Sequence, residues 1–152
     1  MKTAEAESNQ AIFLQQQIDL YTEELVEMAD KTLSEARMKK IVKDRNGLKT
    51  AQLNNLLGVA QESPSVAPIR NWVHFQMGRR ETSRAWSDSG FGEDVLNNLK
   101  EISKFAQEAV KAAFKDADIT PTKKDLRETN LKMVRLYAGY LKRWFVARGG
   151  QN

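Results

Sequence analysis

The chain has no cysteine, and its 152 residues include only 8 glycines and 3 prolines. The lack of cysteine excludes disulfides, thiolate nucleophiles and cysteine-based zinc sites, and it fits a reducing cell interior. Few glycines and prolines disfavour a turn-rich β fold and favour helices. A chain of this length holds one hydrophobic core, so we expect a single helical domain over residues 1–152.

Long apolar runs are missing as well. No stretch approaches the roughly 18 consecutive apolar residues that a membrane-spanning helix needs. The polar residues 1–10 lack the apolar segment of a signal peptide, and we expect them to form a flexible N-terminus. These absences predict a cytoplasmic protein without a membrane partner.

The residue types that perform catalysis are scarce. Histidine occurs once, at His74 within an apolar segment, so no histidine pair has metal-ligand spacing. Gly90-Phe-Gly92 lacks the further glycine, the lysine and the preceding strand of a phosphate-binding loop. We therefore expect a protein that binds rather than catalyses, with no cofactor and no metal.

Acidic residues are grouped at two places in the chain. Glu23, Glu24 and Glu27 fall on the polar side of a predicted helix, and Glu93 and Asp94 fall at a helix start, where acids favour the helix dipole. Exposure on a polar helix face explains the first group, and stabilisation by the helix dipole explains the second. A small metal-dependent hydrolase built on them remains the least favoured alternative.

Charge is divided unevenly along the chain, although the net charge is only +4. Residues 1–30 contain one basic residue, Lys2, and seven acidic residues. The remaining residues hold 23 basic and 13 acidic side chains, a net charge of +10. Such a body can attract a polyanion, while the acidic segment can face a basic neighbour.

Apolar residues recur at helical spacing in five segments, which predicts an all-α bundle of about five helices. The first helix is expected over residues 9–43. The second is capped by Thr50 and is broken at a loop that starts with Glu62. The third has Pro68 in its first turn and carries Arg79, Arg80 and Arg84 in its distal part.

The last two helices follow a loop over residues 87–90. The fourth carries its apolar stripe from Val95 to Ala113. A capping box of Thr122 and Asp125 opens the fifth, which ends at Gly149-Gly150. Trp72 and Trp144 lie on apolar faces and are expected in the core, whereas Trp86 could pack in the core or stack on a base.

Basic residues form three groups in the predicted bundle. Arg80 and Arg84 would share a helix face at i, i+4 spacing. Arginine forks and lysine point charges suit the oxygens of a phosphate backbone, which positions a ligand without reading its bases. The candidate groups are Lys39, Lys40, Lys43 and Lys49 near the first turn; Arg79, Arg80 and Arg84; and Lys142, Arg143 and Arg148 on the last helix.

Three segments resemble a known family when they are taken together. They are Leu48-Lys-Thr-Ala-Gln-Leu53, Ile69-Arg-Asn-Trp-Val-His-Phe-Gln-Met-Gly-Arg79, and Tyr137-Ala-Gly-Tyr-Leu-Lys142 with Gly149-Gly150. In order and approximate spacing they are similar to the small helical subunit of type III CRISPR–Cas effector complexes, the Csm-type small subunit. Asn54, where that family usually has a basic residue, and Leu141, in place of a histidine, indicate a divergent member.

The resemblance implies a function in antiviral defence. Such subunits are non-catalytic, and several copies lie along the guide RNA–target RNA duplex together with other effector subunits. Carried over from the motifs, Lys49, Gln52, Arg79 and Lys142 would contact RNA. A helical protein–protein adaptor without nucleic-acid binding is the alternative, and it would dock through the acidic first helix or an exposed apolar stripe.

Overall fold

The computed structural model describes residues 4–42 and 45–151 of the chain. These residues form α-helices and one short π-helical turn with no β-strand, which confirms the all-α prediction. The described part has seven α-helices rather than about five: α1 (Ala4–Leu20), α2 (Thr22–Thr32), α3 (Glu35–Val42), α4 (Thr50–Glu62), α5 (Ala67–Gly78), α6 (Phe91–Ala113) and α7 (Lys123–Ala147), with the π-helical turn at Arg84–Asp88. None of these helices is both long and apolar enough to cross a membrane.

The single helix predicted over residues 9–43 is divided into α1, α2 and α3. At Tyr21 the backbone amide bonds to the carbonyl of Ile18, three residues back, at 3.0 Å, so the α-helical pattern is interrupted. At the second break the hydroxyl of Ser34 accepts a hydrogen bond from the amide of Arg37 at 3.2 Å, as an N-cap does. Of residues 1–10, which we predicted to be flexible, residues 4–10 belong to α1 and residues 1–3 lie outside the described residues; their flexibility stays a prediction.

Helix α7 is the central helix of the bundle, since it packs against α2, α4 and α6. The buried apolar residues of α7 cover a wide arc of its surface because the helix faces these three neighbours. Arg135 donates hydrogen bonds to the carbonyls of Ala60 and Gln61 at the end of α4. The amide of Thr50 at the start of α4 donates to the carbonyl of Gln151 at 2.8 Å, so α4 and α7 run antiparallel.

A polar cluster joins α2, α6 and α7 inside the core. The side-chain amide of Asn98 donates to the hydroxyls of Thr32 and Tyr137, each at 2.8 Å, and these two hydroxyls lie 3.0 Å apart. The hydroxyl of Thr32 also donates to the carbonyl of Met28. Burial raises the pKa of Tyr137 to about 12, although the hydrogen bonds from Thr32 and Asn98 act in the opposite direction.

Two predicted helix starts are found as expected and one is displaced by a residue. Thr122 and Asp125 form the capping box that opens α7, and Pro68 lies in the first turn of α5. At α4 the residue before the first turn is Lys49 rather than Thr50. The side-chain oxygen of Gln52 accepts the backbone N–H of Lys49 at 3.1 Å.

The third predicted helix ends earlier than its pattern suggested. Helix α5 stops at Gly78, and Arg79 has an extended backbone. The turn is closed by the hydroxyl of Thr82, which donates to the carbonyl of Gln76 at 2.7 Å. Because Arg80 lies in this turn and Arg84 in the π-helical turn, the predicted i, i+4 helical face for this pair is wrong.

Trp86 belongs to the core. Its ring is fully buried and meets Trp72 edge to face, with centroids 5.3 Å apart and ring planes at 89°. Phe91 packs on it at 4.9 Å. The predicted loop over residues 87–90 is helical at its first two positions, and Gly90 has a left-handed φ of 81° just before α6.

Candidate nucleic-acid interface

A groove of about 540 Å³ lies between α4 and α5. It brings together Gln52 from the first family-like segment and Arg79 from the second. Helix α4 also contributes Asn54 and Asn55, and helix α5 contributes Trp72, Phe75 and Gln76. Two of the four residues that the resemblance singles out therefore line one cavity.

Arg79 stands at the α5 end of the groove with its guanidinium accessible. Its Nε lies 3.2 Å from the carboxylate of Glu81, and both side chains are substantially exposed. The guanidinium is 5.9 Å from the centroid of the Phe75 ring, within cation–π range. An exposed ion pair of this kind contributes little to stability, so Arg79 can exchange Glu81 for a phosphate at small cost.

The other predicted basic residues occupy several parts of the surface. Arg80 and Arg84 are exposed in the segment after Arg79. Lys39 and Lys40 are exposed on α3, and Lys39 pairs with Glu35 at 3.8 Å. Lys49 is partly buried next to α4, and the predicted site residue Lys43 lies outside the described residues.

On α7 the three predicted residues differ in their surroundings. Lys142 is partly buried and follows Arg135 by two helical turns, so the two share the face that meets α4. Arg143 is exposed, with its guanidinium 5.8 Å from the Tyr140 ring centroid. The chain thus places Arg143 in solvent and Lys142 beside the helix that carries Gln52.

Arg148 is already engaged at the end of α2. Its Nη1 donates to the carbonyls of Asp30 at 3.0 Å and Leu33 at 2.7 Å, and its Nη2 pairs with the Asp30 carboxylate. The guanidinium lies 4.2 Å from the Trp144 ring centroid. These contacts provide hydrogen bonds to carbonyls at the C-terminus of α2. Arg148, which we predicted to bind RNA, therefore has a structural role.

The acidic groups considered for a metal are dispersed. In the residues that the structure describes, no three acidic or histidine side chains are close enough to hold a metal ion. Asp94 forms an ion pair with Arg37 at 2.5 Å, and Glu23 is exposed in the first turn of α2. His74, the single histidine, is exposed on α5.

Most residues that line the groove were not predicted from the sequence. Phe75 belongs to the apolar segment around His74, yet 59% of its surface is exposed. Gln76 and Asn55 received no role, and Asn54 was noted only as a departure from the family pattern. No sequence signal marks these amides, because they come together only when α4 and α5 pack side by side.

Comparisons of the chain with models of protein families, with curated proteins and with solved structures gave no match. The basis for a functional assignment is therefore the groove, the basic residues around it, and the motif resemblance.

Proposed function

We propose that this chain is the non-catalytic small subunit of a type III CRISPR–Cas effector complex. In this role it contacts the backbone of the guide RNA–target RNA duplex through its basic residues and stabilises the assembly of further subunits, including copies of itself. The observation that carries the proposal is the shared groove of Gln52 and Arg79. These residues come from two separate segments that resemble the same family.

Electrostatics support an RNA partner. The chain after residue 30 has a net charge of +10, and Arg79, Arg80 and Arg84 are exposed, with Arg79 lining the groove. Exposed arginines can bind phosphate oxygens through two parallel hydrogen bonds. Double-helical RNA hides its base edges in a deep, narrow groove, so a subunit on its outside meets mainly phosphates and 2′-hydroxyls.

Neutralising the arginines tests this proposal. We expect the triple variant Arg79→Gln/Arg80→Gln/Arg84→Gln to bind a fluorescein-labelled RNA duplex on the order of tenfold or more weakly at moderate salt. The slope of log affinity against log salt should fall by about three, one for each lost phosphate contact. Fluorescence anisotropy over a salt series measures both quantities.

A matched control has the same change of charge on a different helix. Lys100, Lys111 and Lys115 are exposed on α6 or directly after it, and their triple glutamine variant should keep most of the affinity. Equal losses in the two triple variants would show that only net charge matters. Unchanged RNA binding in the arginine variant, or no RNA binding by the unaltered chain, would contradict the proposal.

One observation favours the second candidate, a protein–protein adaptor. Ile12, Phe13 and Leu20 on α1 are 52%, 48% and 68% exposed, and they lie in the acidic part of the chain. An adaptor that uses this helix would bind no RNA even at low salt and would co-purify with one protein. Replacing Ile12 and Leu20 by serine would then abolish the co-purification.

A further inference from the structure

The floor of the α4–α5 groove contains a side-chain amide without a partner. Gln76 is only 6% exposed, and it lines the groove. Within the described residues no group forms a hydrogen bond with its side-chain amide, and only its backbone carbonyl is used, by Thr82. The amide atoms of Gln76 still reach solvent, so they are available to a ligand that offers a donor and an acceptor.

An aromatic face stands beside this amide. Phe75, the neighbour of Gln76 on α5, exposes 59% of its surface, which is unusual for a phenyl ring in a cavity lining. Trp72 lies one turn earlier and is held by its edge-to-face contact with Trp86. Two aromatic side chains of α5 therefore line the groove, Trp72 packed against Trp86 and Phe75 open to solvent.

The α4 wall combines polar side chains, among them the carboxylate of Glu62, with Gly58 and Val59. Asn54 and Asn55 on α4 are exposed and line the groove, and the described chain gives their side chains no hydrogen-bond partner. Gln52 uses its side-chain oxygen on the amide of Lys49, which leaves its NH₂ group for other contacts. Arg79 lies at the rim, next to the Phe75 ring.

This combination matches one chemical class of ligand. A nucleobase has a flat π face for stacking and an edge with neighbouring donors and acceptors that pairs with an amide. A base-paired duplex has neither surface available, because its bases are stacked and paired. A helical peptide would require an apolar stripe, whereas this groove carries side-chain amides on both walls.

We propose that the α4–α5 groove binds an unpaired base of single-stranded RNA. The base stacks on Phe75, its edge pairs with the amides of Gln76 and Asn55, and Arg79 holds the adjoining phosphate. This inference rests on the proposed RNA-binding function. It adds to that function a subsite that takes one unpaired base next to the paired region.

The test compares two RNA ligands that share a backbone. One is a fluorescein-labelled oligouridylate, and the other is an abasic oligomer of the same length. Phe75→Ala should weaken oligouridylate binding by about 5- to 150-fold, the range for one lost base stack, at low and high salt alike. The same change should leave binding of the abasic oligomer unaltered, because no base is there to stack.

Two variants provide the controls. Phe13→Ala removes a ring of the same type and similar exposure from α1, and it should not affect either ligand. Phe75→Tyr keeps an aromatic face and should restore oligouridylate binding. Because Phe75 is exposed, its replacement by alanine should leave the helical circular dichroism spectrum and the melting temperature near those of the unaltered chain.

The outcomes separate this inference from the proposed function. If Phe75→Ala binds oligouridylate normally while the triple arginine variant loses duplex binding, the base site is overturned and the proposed function stands. An equal loss on oligouridylate and abasic RNA would also overturn the base site, because the effect would not come from stacking. If the unaltered chain binds no RNA of any kind, both proposals fail.

Discussion

The phenol of Tyr137 is enclosed between three helices, and its hydroxyl has two side-chain partners, Thr32 and Asn98. Burial disfavours the phenolate more than the two hydrogen bonds and the neighbouring Arg37 favour it, which is why the pKa of Tyr137 is raised to about 12 from 10.0. The folded chain therefore keeps this proton at a pH where the unfolded chain loses it. Linkage converts this difference into a dependence of stability on pH.

We expect Tyr137 to lower the free energy of unfolding as the pH rises above 10. Between about pH 10 and pH 12 only the unfolded state releases the phenol proton, so stability falls by about 1.4 kcal/mol per pH unit in this window. Below pH 10 the group has no such effect. Urea unfolding at pH 9 and pH 11 measures the difference, and Tyr137→Phe should show a smaller decrease than the unaltered chain. An identical decrease in both would contradict the assignment.

Two arginines show which part of the site could not be predicted from the sequence. Arg143 lies on α7 and Arg148 directly follows its last residue, and both were predicted to bind RNA. Arg143 is exposed, whereas Arg148 bonds to two carbonyls and a carboxylate at the end of α2. Composition and spacing cannot distinguish them, because the end of α2 comes close to Arg148 only in the folded chain.

At the scale of helices, two glycines differ in the space around them. A Cβ atom on Gly92 would lie 2.6 Å from the Met77 side chain and 2.7 Å from the backbone oxygen of Trp86. Helix α6 can thus approach the π-helical turn only because this position has no side chain. Gly139, in the interior of α7, has nothing within 4 Å of the same added atom.

We therefore expect the two alanine substitutions to have opposite signs. Gly92→Ala should destabilise the fold by about 1–3 kcal/mol, since the Trp86 carbonyl cannot move as a flexible side chain can. Gly139→Ala should stabilise it by about 0.4–1 kcal/mol through helix propensity and a more restricted unfolded chain. Thermal and urea unfolding measure both. A neutral Gly92→Ala would mean that α6 can move away from the turn.

The helices that were predicted correctly are those with both an apolar period and an explicit end signal. Helix α7 has a capping box at Thr122, and α4 is bounded by a turn on each side. A single helix was predicted for the first segment because its apolar period runs from Leu14 to Met28 and continues across Tyr21. The helix is interrupted at Tyr21 and at Ser34, where the Tyr21 amide bonds to the Ile18 carbonyl and the Ser34 hydroxyl accepts the Arg37 amide. The spacing of apolar side chains carries no information about such bonds.

For the whole molecule, burial is concentrated away from α1. This helix has one buried residue, Ile18, whereas α6 and α7 bury most of their apolar side chains. Its three large exposed apolar residues contribute nothing to the core. Stability within a protein follows local burial, so the N-terminal helix should open more easily than the central ones.

Native-state hydrogen exchange should reveal this gradient. We expect amides of α1 to exchange with an opening free energy at least about 2 kcal/mol lower than amides in the middle of α7. Exchange measured by mass spectrometry at several urea concentrations distinguishes local opening of α1 from global unfolding. Equal protection in the two helices would show that α1 unfolds only together with the rest of the chain.

The edge-to-face contact of Trp72 and Trp86 has an optical consequence. Two indoles with centroids 5.3 Å apart are close enough for their electronic transitions to couple, and Trp72 also lines the α4–α5 groove. Ultraviolet circular dichroism and tryptophan emission thus contain a contribution from the wall of this groove. The chain has its own spectroscopic label at the place where we propose that a base binds, and occupancy can be followed without attaching a dye to the protein.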